Sequence, residues 1–221
     1  MKSFEEIFKE SDKVHHHAYH LFYEDELKHM RDDKFKMLEI GYGNGESFPA
    51  WLEYFPKAHV DCIDISPDNV QKVDRGEVFC VDQSDESKLK KFARNKKYRF
   101  IIDDGSHVPL HQVTSFYALF PKLEYGGIYI IEDIETSFWH PDAMLYGYQI
   151  TPFNLFSSEF MSDLMKLTNH MTLKHIENRK TPISSFRVCG NTMIIKKQTK
   201  EEQKYFNERK YPHEHLLLRQ G

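Results

Sequence analysis

Cysteine is scarce in this chain of 221 residues. Cys62, Cys80 and Cys189 lie far apart with no CxxC spacing, so neither a disulfide framework nor a zinc finger is expected. Two of the three fall inside apolar strand-like runs, and the set reads as reduced, buried thiols of a cytoplasmic protein. No apolar run approaches the roughly 18 residues that read as a membrane span, and the opening MKSFEEIFKESDK has no apolar signal core. Positive charge is also short: 30 Lys and Arg face 34 Asp and Glu, a formal net charge of −4. That balance, without a basic stripe, disfavours a partner bound through its phosphates, nucleic acid above all. Internal repeats are absent and low-complexity stretches are few.

What is present is a globular composition. Hydrophobic residues make up 40% and aromatics 14%, too apolar and aromatic-rich for a disordered chain. The segments alternate. Residues 3–10 and 14–31 read as helices, with Ser11 and Asp12 placed to cap the second. KMLEI (36–40) is a short apolar strand, GYGNG (41–45) a glycine cluster, and SFPAWLEYF (47–55) a helix. HVDCIDI (59–65) is a strand ending in SPDN, a turn and helix start. EVFCVD (77–82) is a strand, SDESKLKKFARN (84–95) an amphipathic helix, and YRFIIDD (98–104) a strand. A helix through LHQVTSFYALF (110–120) and the strand GIYIIED (127–133) follow. Strands alternating with helices of 10–15 residues predict an α/β fold with a mostly parallel sheet covered on both faces. Beyond residue 134 the rhythm breaks. A helix is expected over 156–168, and MTLKHIE (171–177) with FRVCGNTMIIKKQ (186–198) is expected to form an antiparallel pair at the sheet edge. The chain divides into a helical segment (1–33), an α/β domain (34–198), and a polar helix with a loose tail (199–221).

Gly41, Gly43 and Gly45 follow a strand and precede a helix, where the backbone must turn sharply and approach a ligand. No Gly-Lys-Ser/Thr follows, which excludes a phosphate-gripping P-loop. Carboxylates take the place of basic residues. Glu39 suits a cationic or amino-bearing ligand, and Asp64 can grip ribose hydroxyls. Asp82 with Gln83 can contact an adenine edge. An acid-lined, phosphate-free pocket fits S-adenosylmethionine better than a dinucleotide. The competing reading of the glycines alone is an ordinary strand–helix turn.

A second group of acids ends two buried strands, in IIDDGSH (101–107) and IIEDIETS (130–137). Ligands of an open parallel sheet collect outside the carboxyl ends of its strands. Asp103, Asp104, Glu132 and Asp133 should therefore crowd one small volume beside His107. Like charges so close are costly unless a cation intervenes, and a hard divalent ion such as Mg²⁺ answers that need. Strand alternation means that only some of these acids face the cleft. His107 is suited to act as a general base. The plainer alternative is that the acids cap helices and His107 lies on the surface.

Other residues carry weaker signals. His15, His16 and His17 point in different directions on a helix, so a joint metal site is not expected. Trp51 and Trp139 read as packing residues, although Phe138, Trp139 and His140 follow an acidic strand end and are placed to line an acceptor pocket. Tyr146, Tyr148, Phe153 and Phe156 read equally as acceptor lid or core. Lys196, Lys197 and Lys200 read as a solvated edge.

The segments SDKVHHHAYHLFY (11–23), MLEIGYGNGES (37–47), FPKAHVDCIDIS (55–66), VDQSDESKL (81–89) and, above all, residues 100–139 carry a resemblance. The chain resembles the class I S-adenosylmethionine-dependent, metal-dependent sugar O-methyltransferases, which methylate deoxysugars of macrolides and related glycosides. The resemblance implies a Rossmann-like sheet with an antiparallel C-terminal edge pair. It implies that Glu39, Gly41, Gly43 and Asp64 hold the methyl donor, with Asp103 on the same side, and that Asp82, Gln83 and Ser84 frame its adenine. His17 and Tyr19 match a DKxxxHxY segment lying over the donor. Asp104, Glu132 and Asp133 become Mg²⁺ ligands, and His107, paired with Asp104, the catalytic base. The implied acceptor is a sugar, free or in a glycan or glycoside, presenting a vicinal diol. No nucleic acid or membrane takes part, and a homo-oligomer stays open. Larger members carry an additional N-terminal oligomerising domain, and residues 140–221 match little. Two alternatives stand beside this reading: a catechol- or polyphenol-type O-methyltransferase, and a nucleoside-binding module without turnover.

Overall fold

The computed structural model describes residues 2–150, 153–156, 158–168 and 182–208. Eight strands form one sheet: β1 (Lys36–Ile40), β2 (His59–Asp64), β3 (Gln71–Val73), β4 (Gly76–Cys80), β5 (Tyr98–Asp103), β6 (Leu123–Ile131), β9 (Ile183–Cys189) and β10 (Thr192–Lys197). Their order is β3-β4-β2-β1-β5-β6-β10-β9. The five central strands β4, β2, β1, β5 and β6 run parallel, while β10 pairs antiparallel with β6, β9 with β10, and β3 with β4. A two-stranded ribbon, β7 (Met144–Leu145) and β8 (Tyr148–Gln149), stands apart.

Both faces of the sheet are apolar, and side-chain alternation divides them. Met37, Phe100, Ile102, Ile128 and Ile130 pack with Phe4, Tyr23, Trp51 and Tyr54 on one face. These belong to α1 (Phe4–Ile7), α3 (His20–Leu27) and α4 (Ser47–Tyr54). Leu38, Ile101, Tyr129 and Ile131 pack on the other face with Leu89, Phe116 and Phe160, from α5 (Glu86–Phe92), α6 (Pro109–Leu119) and α7 (Glu159–Thr168). A polar helix, α8 (Lys200–Glu208), follows β10. Among the described residues no helix is long and apolar enough to cross a membrane.

Several local expectations need correction. Residues 14–31 are not one helix: α2 (Asp12–His15) ends, Ala18 takes a left-handed φ of 56°, and α3 begins at His20. Tyr19 N–H reaches back to the Lys13 carbonyl and Ala18 N–H to that of Val14, so the residues that leave α2 satisfy carbonyls at its end. After β2 the expected helix is a single 3-10 turn, Pro67–Asn69, capped by Ser66, and the chain returns through the short edge strand β3. Residues 186–198 do not form one strand. The turn at Gly190, with φ 55°, folds 183–197 into a hairpin of its own, and residues 171–177 lie outside the described residues, as does the tail from 210. Of the cysteines only Cys62 is buried; Cys80 is exposed and Cys189 half-buried, and all three are free.

Candidate active site

Connections from β1 and β5 leave the sheet in opposite senses, and a cleft opens where these neighbouring strands diverge. It is a cavity of about 370 Å³ whose walls include Gly41, Gly43, Asp64, Gln83, Asp104 and His107. Gly41 is obligatory there. Its φ is +94°, and a Cβ would fall 2.0 Å from the Asp104 carbonyl oxygen, so only glycine lets the loop after β1 lie against the end of β5. Asp64 holds that loop: its Oδ2 accepts from Tyr42 N–H at 2.9 Å and its Oδ1 from Ser66 N–H at 2.8 Å.

Other acids expected on the donor side stand behind the wall. Glu39 is fully buried beneath the glycine loop and accepts from Trp51 Nε1 at 2.9 Å. Burial pushes its carboxyl up to about 7, against the pull of Lys13. Asp103, also buried, accepts from Gln83 Nε2 at 2.6 Å, while Gln83 Oε1 accepts from Ser106 N–H at 2.9 Å. Burial raises Asp103 to about 8. Its effect on the cavity is thus to fix Gln83. Asp82 Oδ1 accepts from both the backbone N–H and the hydroxyl of Ser84, at 2.9 and 2.7 Å, and neither residue reaches the cavity wall.

The second acidic group assembles as a compact cluster. The single-residue alternation at the end of β5 sends Asp103 to the α6 side and Asp104 to the N-terminal side. There Lys13, fully buried, sets its ammonium between Asp104 Oδ2 and Glu132 Oε2. Tyr23 donates to the other Glu132 oxygen at 2.6 Å. Tyr19 donates to Asp133 Oδ1 at 2.6 Å, as does Asn191 Nδ2 at 3.0 Å from the β9–β10 turn. His17 stacks on Tyr19 and lies 3.7 Å from the same oxygen. His17 and Tyr19 therefore face the acids and not the cavity. What remains open is Asp104 Oδ1 and Asp133 Oδ2, with His107 Nε2 at 4.0 and 3.4 Å from them. Asp104, His107 and Asp133 offer ligand atoms all within 4.8 Å of one another, the metal-compatible group among the described residues. Burial opposes charge on Asp104, but the Lys13 ammonium and His107 hold its carboxyl below the ordinary range. Burial and the adjacent Asp104 raise Glu132.

Backbone strain concentrates here. Among the described residues, the non-glycine positions with positive φ are Ala18, His107, Asp133 and Tyr146. Such conformations cost about 1–3 kcal/mol each and persist where surroundings impose them. Two are members of the cluster. Ala18 joins the helices that carry Lys13 and Tyr23, and the Tyr146 ring lies 5.6 Å from His107. Thr136 Oγ1 donates to the His107 carbonyl at 2.6 Å and holds that strained residue. Tyr146 in the β7–β8 turn and Tyr148 at the start of β8 border the cavity, and Phe138 is 69% exposed and Trp139 44%. Trp51, Phe153 and Phe156 belong to or pack on the core. Of the lysines read as a solvated edge, Lys196 pairs with Glu26 and Lys197 donates to the Leu123 carbonyl.

Sequence reasoning passed over Lys13, Tyr23 and Asn191. Tyr19 and Tyr23 carried a signal, an i, i+4 pair on one helix face. Lys13 carried one as well, as the lysine of the DKxxxHxY segment, in which only His17 and Tyr19 were given a role.

No family model matches the chain. It is 36% identical over 137 residues to the 8-demethyl-8-alpha-L-rhamnosyl tetracenomycin-C 2'-O-methyltransferase of Streptomyces olivaceus, a match covering 58% of this chain and 36% of that protein. It is 38% identical over 143 residues to the L-olivosyl-oleandolide 3-O-methyltransferase of Streptomyces antibioticus, covering 59% and 36%. Among solved structures, the MycE methyltransferase of the mycinamycin biosynthetic pathway in complex with Mg and SAH superposes with a TM-score of 0.75 at 28% identity, over 91% of this chain and 56% of that one. SAH-bound Podospora anserina methyltransferase PaMTH1, at 16% identity and a TM-score of 0.52, covers 90% of this chain and 88% of its own and shares the fold. The chain is homologous to O-methyltransferases of deoxysugar-bearing natural products and has the class I methyltransferase fold. It spans about a third of the length of these curated relatives.

Proposed function

We propose that this chain is an S-adenosylmethionine-dependent and divalent-cation-dependent O-methyltransferase acting on a sugar hydroxyl, the sugar being a deoxysugar such as rhamnose in a glycan or glycoside. The observation that carries the reading is one shared wall: Asp104 and His107 line the nucleoside-sized cavity and, with Asp133, make the metal-compatible group. The relatives' printed substrates, rhamnosyl and olivosyl sugars, and the Mg and SAH of the MycE complex point the same way.

The glycine loop, Asp64 and Gln83 would bind the donor, with Glu39, Asp103, Asp82 and Ser84 supporting them from behind. The acids at the ends of β5 and β6 would hold the ion, Asp104 and Asp133 through the oxygens left open and Glu132 alongside Lys13 and Tyr23. The residues fit such an ion, because hard oxygen donors face one point beside a buried imidazole. When bound, the donor supplies a methyl group on a sulfonium and the cation acidifies a hydroxyl that it touches. His107 Nε2 lies between the two open carboxylates and takes the hydroxyl proton as the oxygen attacks the methyl carbon and the carbon–sulfur bond breaks, leaving a neutral thioether. Asp104 and Asp133 then stabilise the imidazolium. The cavity walls hold donor and acceptor in contact, which removes much of the entropic barrier.

The test is mass spectrometry for the gain of one methyl group across rhamnosides, other deoxysugar glycosides, sugar nucleotides and catechols, with donor and Mg²⁺ present. Methylation of deoxysugar glycosides is expected. Transfer confined to catechols would replace the sugar reading, and donor binding without transfer to any acceptor would leave a nucleoside-binding module.

A further inference from the structure

Lys13 stands out once the carboxylates are placed. A lysine with no exposed surface needs a partner, and this one has two, Asp104 and Glu132, supplied by different strands. Glu39 lies near enough to add to their field. Its helix α2, capped by Ser11, also sets Ser11 and Asp12 in the wall of the cavity. One side chain therefore joins the N-terminal segment, the end of β5 and the residue after β6.

Charge arithmetic gives it a role. Asp104, Glu132 and Asp133 carry three negative charges when ionised, which one divalent cation does not neutralise. The ammonium of Lys13 removes one of them. It does so on the inner side of the cluster, through Asp104 Oδ2 and Glu132 Oε2, and leaves Asp104 Oδ1 turned to His107 and Asp133.

We propose that Lys13 is a positioning residue that cancels one carboxylate charge and fixes Asp104 and Glu132, so that a single divalent cation sits on the His107 side of the cluster. The inference rests on the proposed methyltransferase reading. Its signature is a pair of effects with opposite signs. Removing the lysine charge strengthens cation binding, because like charges no longer repel at close range, yet it draws the ion inward and lowers turnover.

The experiment measures Mn²⁺ binding by calorimetry and methyl transfer in the same preparations of the wild-type chain, Lys13→Gln and Lys13→Arg. Lys13→Gln is expected to bind Mn²⁺ on the order of tenfold tighter while kcat falls at least about tenfold. Lys13→Arg, which keeps the charge, should stay within about threefold of wild type in Mn²⁺ affinity. A merely structural lysine would on replacement weaken binding and turnover together. Should Lys13→Gln fail to fold, Lys13→Met, which keeps the buried stem and removes only the charge, carries the same expectation. Mn²⁺ binding no tighter in whichever of Lys13→Gln and Lys13→Met folds overturns the inference while wild-type activity stands. A wild-type chain that binds no Mn²⁺ overturns the proposed function as well.

Discussion

His107 has two distinguishing features, its neighbours and its backbone. A positive φ of 55° is an expensive conformation for a side chain of that size, and it aims Nε2 between two acids. Replacing it by alanine should cost about 10²–10⁴ in turnover, the usual worth of a general base, with affinity for S-adenosylhomocysteine nearly unchanged by calorimetry. A parallel loss of donor affinity would instead make His107 a donor-binding residue. Glu39 offers a second test. Its carboxyl is raised from 4.5 to about 7, so the folded chain keeps a proton that the unfolded chain has released. Stability therefore falls as pH rises from about 4.5 through 7, by up to about 3 kcal/mol, and stays low above that. Glu39→Gln keeps an acceptor for Trp51 and lacks the buried charge. Its melting temperature relative to wild type should climb between pH 5 and pH 8; a constant difference across that range would contradict the burial argument.

At the level of elements, the sheet was largely readable. Apolar strands ending in acids, separated by capped helices, gave β1, β2, β4, β5 and β6 and placed Asp64, Asp104 and Glu132 at strand ends or just beyond, because alternation and burial are local properties of the chain. What could not be read depends on distant partners. Ala18 is a strong helix former, and the periodicity of residues 14–31 runs through it, yet the helix breaks there. Lys13 before the break and Tyr19 and Tyr23 after it all bond to acids from the ends of β5 and β6, and a continuous helix could not aim all three. The separate roles of Asp103 and Asp104 were implicit in strand alternation, whereas the ion pair with Lys13 was not. The break itself can be tested. Ala18→Gly removes the left-handed penalty at some cost in chain entropy and should raise stability by roughly 0.5–1 kcal/mol in denaturant titration. Destabilisation would mean that the methyl group packs in a way the φ argument ignores.

For the whole molecule, the sheet, the N-terminal helices and the β9–β10 turn converge on one volume. β5 and β6 bring the acids, residues 11–23 bring an ammonium and two phenols, the hairpin turn brings Asn191, and the cavity beside β1 and β5 adjoins them. The functional account depends on that adjacency. Its most direct test is methyl transfer to a rhamnoside, followed by mass, before and after removal of divalent ions by a chelator and after Mg²⁺ is restored in excess. Transfer should vanish with chelation and return with Mg²⁺. Undiminished transfer in excess chelator would contradict the role assigned to Asp104 and Asp133.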